Sequence, residues 1–268
     1  MESLETFNAW GRDILNLLVL RTYPIAVKML KDESEIPAGA VRPKKDLGTH
    51  YAMCQAFGVV RQKGTVLAMF IEDHWCFEPI IAYGLVEPPE DFLQGSSSAY
   101  FIADKDAAKA RTDSIPILPH GKYAGMALAP LDKANFTPDV VMVYCTPSQL
   151  RHLTLALMRR RGTRATSTID PIWSCVHAII PPLLRGTCAV TVPDPGDFER
   201  AGAGDDEMIF SVPSGMMKEF MEGVQHYEKT GMGYRSFTRD LRGDFDQPPF
   251  YRDYFKKWGL DEPKRKSE

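Results

Sequence analysis

The 268-residue chain has no C-x-x-C pair, no G-x-x-x-x-G-K-[ST] loop, no G-x-S-x-G and no H-E-x-x-H. The compact signatures of zinc ribbons, P-loop nucleotidases, serine hydrolases and zincins are therefore missing. Gly202-Ala-Gly204 lacks the third glycine and the preceding strand of a dinucleotide fingerprint. No stretch reaches the ~18 apolar residues that span a bilayer. The richest runs, Ile14 to Leu20 and Cys175 to Leu184, are short, and Pro181 and Pro182 interrupt the second. Positive charge is not in excess either. Lys and Arg total 32 against 35 Asp and Glu, giving a net charge of −3 and a pI near 6.1. That leaves no electrostatic footprint for nucleic acid or an acidic membrane. Five cysteines are an odd, scattered set, which is not a disulfide framework. The acidic start Met1-Glu-Ser-Leu-Glu-Thr-Phe lacks the basic, then apolar, pattern of a secretory signal. The expectation is a reducing cytoplasm, with free thiols.

What is present is ordinary globular material, 44% hydrophobic and 25% charged. Apolar spacing predicts helices over 4–20, 48–60, 75–83, 147–161, 171–184, 216–227 and 251–258. Strands are predicted over 24–30, 65–71, 123–129, 140–145, 187–192 and 208–212, and polar loops over 31–45, 88–98 and 193–206. Helices and strands mix along the whole length with no compositional break. The expected fold is one α/β or α+β domain on a mixed sheet over 1–268. A weak repeat divides it. Thr49, Cys54, Gly64-Thr65, an apolar strand and Glu72-Asp73 run parallel to Asp170, Cys175, Gly186-Thr187, an apolar strand and Asp194. Two pseudo-symmetric halves, 1–135 and 136–230, with a loop-rich tail 231–268, would explain the match; so would chance recurrence of a common helix–glycine–strand unit.

Chemistry concentrates at the cysteines. His50 and Cys54 stand at i, i+4 and so share a helix face. His74 with Cys76, and Cys175 with His177, stand at i, i+2. Thiolate and imidazole are the ligands of Zn²⁺ and of Fe–S clusters. Cys54, Cys76, Cys175 and Cys188 are the candidate ligands of a [4Fe–4S] cluster or a zinc ion, while Cys145 sits in a strand. The competing reading is four core cysteines, since free Cys packs as a small hydrophobe. If Thr49 and Asp170 cap their helices, Cys54 and Cys175 lie in the second turn, where the helix dipole weakly favours thiolate. The run Ile71-Glu-Asp-His-Trp-Cys-Phe-Glu-Pro follows a predicted strand. In it Asp73 and His74 join Cys54 and Cys76 as catalytic candidates, and Trp75 or Phe77 could stack on a planar ligand. Thr146-Pro-Ser-Gln149 is a capping box that could also hold an anion. Arg159 and Arg160, at a helix end, could clamp a phosphate or carboxylate.

The order of Pro24-Ile-Ala-Val-Lys, Cys54-Gln55, Cys76, Gly84-Leu85, Thr146-Pro-Ser-Gln149, Ser174-Cys175, Gly186-Thr-Cys188 and Asp206-Glu-Met-Ile-Phe-Ser-Val-Pro213 resembles that of the DUF169 family of uncharacterised prokaryotic proteins. One departure stands out: Phe77-Glu78 follows Cys76 where the family often has Gly-Ala. The resemblance implies a cytoplasmic protein, often of anaerobes, and brings no catalytic role with it. Three readings follow from the residues. One is a metal- or Fe–S-binding or thiol-redox protein of small-molecule metabolism and, if an enzyme, a cysteine- or metal-dependent oxidoreductase or lyase. The second is a non-catalytic module binding a small anionic or aromatic ligand through Trp75, Thr146 and Arg159 to Arg161. The third is a purely structural or assembly role with every cysteine in the core. The expected partner is a small molecule, with neither nucleic acid nor membrane; assembly into a homo-oligomer stays open.

Overall fold

A computed structural model describes residues 2–162, 164–236 and 249–260. The chain forms two compact units, Met1–Arg235 and Ser236–Glu268.

The first unit runs α1 (Leu4–Leu17), β1 (Ile25–Leu30), α2 (Pro43–Leu47), α3 (Met53–Lys63), β2 (Leu67–Phe70), α4 (Phe77–Ala82), α5 (Glu90–Leu93), α6 (Lys105–Ser114), β3 (Gly125–Pro130), β4 (Val140–Cys145), α7 (Pro147–Arg161), α8 (Ser174–Arg185), β5 (Ala189–Thr191), α9 (Pro195–Ala201), β6 (Met208–Pro213) and α10 (Met217–Lys229). In the second unit, α11 (Pro249–Lys257) brings Phe250 against Tyr251, and Tyr254 against Trp258 just past its end, as tilted ring pairs with centroids 4.7 Å apart in each.

Six strands form one sheet in the order β2-β3-β1-β4-β6-β5. Every ladder is antiparallel, and the isolated bridges Val41–Leu67 and Tyr51–His74 are parallel. The class is α+β. The strands read as unbroken apolar runs because both faces of the sheet are covered. On one face Ile25, Val27, Met126, Leu128, Val140 and Met142 pack under α3, α4 and α8. On the other, Ala26, Ala127, Val141, Val143, Phe210 and Val212 pack under α1, α7 and α10.

The sheet repeats itself about the β1–β4 seam. Strands β2-β3-β1 and β5-β6-β4 arise in the same chain order, each with a helix (α3 or α8) ahead of its edge strand. Their registers coincide. Leu67 pairs with Leu128 as Ala189 pairs with Ser211, and Ala26 pairs with Ala129 as Val141 pairs with Val212. Helices α3 and α8 both end on a left-handed glycine, Gly64 (φ 73°) and Gly186 (φ 61°), a backbone state that glycine enters without steric cost.

Several boundaries differ from the periodic reading. Helix α3 begins at Met53 with Ala52 as its cap, so residues 48–50 lie outside it. The interval expected as a polar loop over 193–206 contains α9, opened by Asp194 and Asp197 as a reciprocal capping box with Pro195 at the first helical position. Helices α5 and α6 lie where no helix was expected.

Candidate functional site: a cavity ringed by helix starts

Four helices open onto one cavity. Cys54 is the second residue of α3 and Cys175 the second residue of α8. Cys76 is the N-cap of α4, and Asp194 the N-cap of α9. Helix α9 packs against α3, and α4 against α8, so each half of the sheet contributes a wall beside the other half's cysteine helix. The enclosed volume is about 430 Å³, within the range of small-molecule sites. Its lining includes Cys54, Cys76 and Cys175, the aromatics Trp75, Phe77, Phe101 and Trp173, and the charged Glu78, Asp194 and Arg200.

The thiols feel one another and the acids around them. Burial, then the charges of Asp197 and Asp194, pushes the Cys54 thiol up to about 12. Burial pushes Cys76 up to about 11. Cys175, buried at the cavity wall, is raised well above the usual thiol range by burial, then by Asp194, Cys76 and Cys54. The favourable field of the helix starts is thus outweighed: without a cation among them, these thiols are protonated at neutral pH.

A buried polar chain holds this arrangement in place. Ser174 N–H donates to Asp194 Oδ2 at 3.0 Å, and its Oγ, with one proton to share, lies 3.1 Å from the same oxygen and 2.5 Å from Asp197 Oδ2. Tyr144 OH donates to Asp197 Oδ1 at 2.6 Å. The Arg61 guanidinium lies 3.9 Å over the Tyr144 ring and pairs with Glu207 at 3.1 Å. Asp194 therefore fastens the first turn of α8, and with it Cys175, to the first turn of α9. Burial, then Asp194, raises the Asp197 carboxyl. Gly196 presses against the site; a Cβ there would lie 3.0 Å from Cys54 Sγ.

Trp173 carries backbone strain. It caps α8 at φ 63° and ψ 45°, a left-handed conformation that is an outlier for a bulky residue and clusters at functional sites. Its ring stacks on Phe92 at 5.9 Å and lies 5.1 Å from Arg111, which pairs with Asp170 at 2.9 Å. Asp170 thus anchors α6 and the Ile172 N–H and does not cap α8. His177 is buried beside it, at 3.3 Å.

Of the residues singled out from the sequence, Cys54, Cys76, Cys175 and Trp75 meet at this cavity, and Phe77 joins them. Cys188 does not. It packs against the opposite face of the sheet and lines a separate hollow with Arg164 and Met216. Asp194, which the repeat aligns with Glu72-Asp73, lines the cavity with Cys54, Cys76 and Cys175. Asp73 does not line the cavity. Its carboxylate is fully buried, accepting from Arg42 Nε at 2.7 Å, Lys44 N at 2.8 Å and Phe70 N at 3.0 Å. Arg42 also binds Glu33 and Glu72, so the acids after β2 tie down a loop. His74 lies off the cavity, buried with neither ring nitrogen hydrogen-bonded. Burial lowers it to about 4. His50 is exposed ahead of α3. Thr146 is the cap of α7, in a closed capping box with Gln149. Arg159 and Arg160 are exposed near the end of the same helix, which covers the other face of the sheet. None of the three reaches the cavity. Glu78, Trp173, Gly196 and Arg200 were not singled out as site residues from the sequence, and Asp194 entered only as a member of the repeat; the Asp194-Pro-Gly-Asp197 capping box that opens α9 was a further signal.

Among the described residues, no group of three His, Cys, Asp or Glu side chains is placed to hold a single metal ion. No helix there is long and apolar enough to cross a membrane.

Fold and site together define an antiparallel α+β sandwich whose two repeated halves close around a cysteine-lined cavity. The chain belongs to the DUF169 family, described as an uncharacterised ArCR, whose profile matches residues 13–223. It is 26% identical over 223 residues to the uncharacterized protein MJ0308 of Methanocaldococcus jannaschii, a match covering 82% of this chain and 94% of that one. No solved structure matches.

Proposed function

We propose that Cys54, Cys76 and Cys175 hold an iron–sulfur cluster, and that the rest of the cavity admits a small molecule to it. The observation that supports this reading is the meeting of three cysteines, far apart in sequence, in one cavity at the starts of three helices. A tetrahedral zinc would require sulfurs ~3.8 Å apart, from a Zn–S bond of about 2.3 Å. A cluster bridges a wider gap and has thiolate ligands. Binding a cation deprotonates a coordinating thiol outright, so high thiol pKa values are no obstacle once iron is present. The resulting thiolates and sulfides are anionic, and helix starts direct unpaired N–H groups toward them. Cys54, Cys76 and Cys175 would hold such a cluster, which would supply Lewis-acid or electron-transfer chemistry, and Asp194 and Glu78 line the same cavity, where a carboxylate can exchange protons. Oxidoreductase or lyase chemistry on a small molecule suits such a site.

The test is anaerobic purification or reconstitution with iron and sulfide, followed by metal analysis and absorption spectroscopy. Broad absorption near 400 nm is expected, lost in Cys54→Ser, Cys76→Ser and Cys175→Ser and kept in Cys145→Ser and Cys188→Ser. A colourless protein that takes up no iron would sink the proposal and leave the second reading, a pocket that binds its ligand without a metal.

A further inference from the structure

The thiol cavity has a neighbour. A second cavity, of about 580 Å³, shares Phe77, Glu78 and Phe101 with it. The partition is aromatic: Phe92, on the wall of the second cavity, stacks on Trp173, on the wall of the first. The remaining lining is Ile81, Pro89, Asp91, Ser96, Ser97 and Tyr100. Tyr100 and Phe101 stand 88% and 55% exposed, with ring centroids 5.3 Å apart. Apolar side chains exposed together beside a concave surface mark ligand-binding grooves more often than isolated ones do.

The sign of the lining selects the ligand. Glu78 and Asp91 are the carboxylates of this second cavity, and no Lys, Arg or His lines it among the described residues. Arg200 lies on the thiol side, 5.1 Å over Trp75, and lines only that cavity, although its charge reaches the shared Glu78. A carboxylate or phosphate entering the second cavity would face two acids and no base. An ammonium would meet carboxylate oxygens and the negative faces of Phe77, Tyr100 and Phe101. Volume and aromatic walls suit a ring-bearing molecule more than an ion.

We infer that this second cavity binds a small aromatic molecule carrying a cationic amine, its ring among Phe77, Tyr100 and Phe101 and its amine at Glu78, on the threshold of the thiol cavity. The site requires no cluster and stands or falls apart from the iron–sulfur reading.

Calorimetric titration of the full chain with three probes of one shape tests it: 2-naphthylmethylamine, 2-naphthylmethanol and 2-naphthoate at pH 7. The amine should bind about tenfold or more tightly than the alcohol, the size of one charge-assisted hydrogen bond, and the carboxylate weakest of all. Glu78→Gln should bring the amine to within about twofold of the alcohol. Phe101→Ala and Tyr100→Ala, both at exposed positions that leave the core intact, should weaken all the probes. Metal-free protein should give the same order. Binding of naphthoate as tight as that of the amine, an amine preference that survives Glu78→Gln, or no binding of any probe to folded protein would overturn the inference.

Discussion

His74 offers the cleanest quantitative test of the fold. The ring is buried, neither nitrogen has a partner, and burial lowers it to about 4 from a usual value of 6.5, with Asp73 pulling weakly the other way. Between those two values the unfolded chain carries a proton on this ring and the folded chain does not. The unfolded state binds more protons there, so stability present above pH 6.5 is lost as the pH falls toward 4. The full shift corresponds to about 3 kcal/mol at 1.36 kcal/mol per pH unit, and about 2 kcal/mol of it is already gone at pH 5. For a chain of this size that is a fall in Tm of about 4–8 °C between pH 7.5 and 5 from one ring. Other titrating groups add to the acid loss, so the comparison has to be with His74→Gln, which cannot take the proton. Denaturant unfolding at pH 7.5 and 5, read by tryptophan fluorescence, gives the difference directly. The wild-type protein should lose about 2 kcal/mol more than the variant over that interval. Equal losses in the two proteins would show that the ring finds a hydrogen-bond partner, such as a buried water, and the burial argument would be refuted.

Two further expectations rest on packing near the cavity. Gly196→Ala places a methyl 3.0 Å from Cys54 Sγ and 2.9 Å from Arg200 Nη1; it should cut iron uptake and slow labelling of unfolded-protected Cys54, while leaving the far-UV circular dichroism unchanged. Arg61→Ala strips Glu207 of its buried partner and uncovers the Tyr144 ring. It should cost about 3–5 kcal/mol in denaturant unfolding, and a loss below about 1 kcal/mol would show that water reaches the pair.

The sheet was largely legible because its strands are continuous apolar runs, and Val140–Cys145 and Pro147–Arg161 fall where pattern and capping box put them. The candidate site was legible in part. Cysteine identity and the paired Gly64 and Gly186 turns pointed to Cys54 and Cys175, and residue density pointed to Cys76. Cys188 shared their chemistry but sits one turn of chain past Gly186, on the way into β5, where the pleat commits it to the other face. Period alone could not say which face that would be. Asp73 and Asp194 looked interchangeable in sequence; Arg42 captures the first, and the starts of α8 and α9 capture the second. Such differences arise from partners 20 and 31 residues away and leave no local pattern. Helix α9 was hidden because Gly, Pro and Asp signal a loop and a helix start alike.

Because α9 of the second half leans on α3 of the first, the pocket is completed only when Pro195–Ala201 is in place. A ribosome must therefore deliver about three-quarters of the polypeptide before the earliest of the three sulfurs, Cys54, gains its final enclosure. Any cargo loaded there must arrive late in synthesis or after it, and a nascent fragment ending before Asp194 would leave that sulfur open to solvent and oxidants.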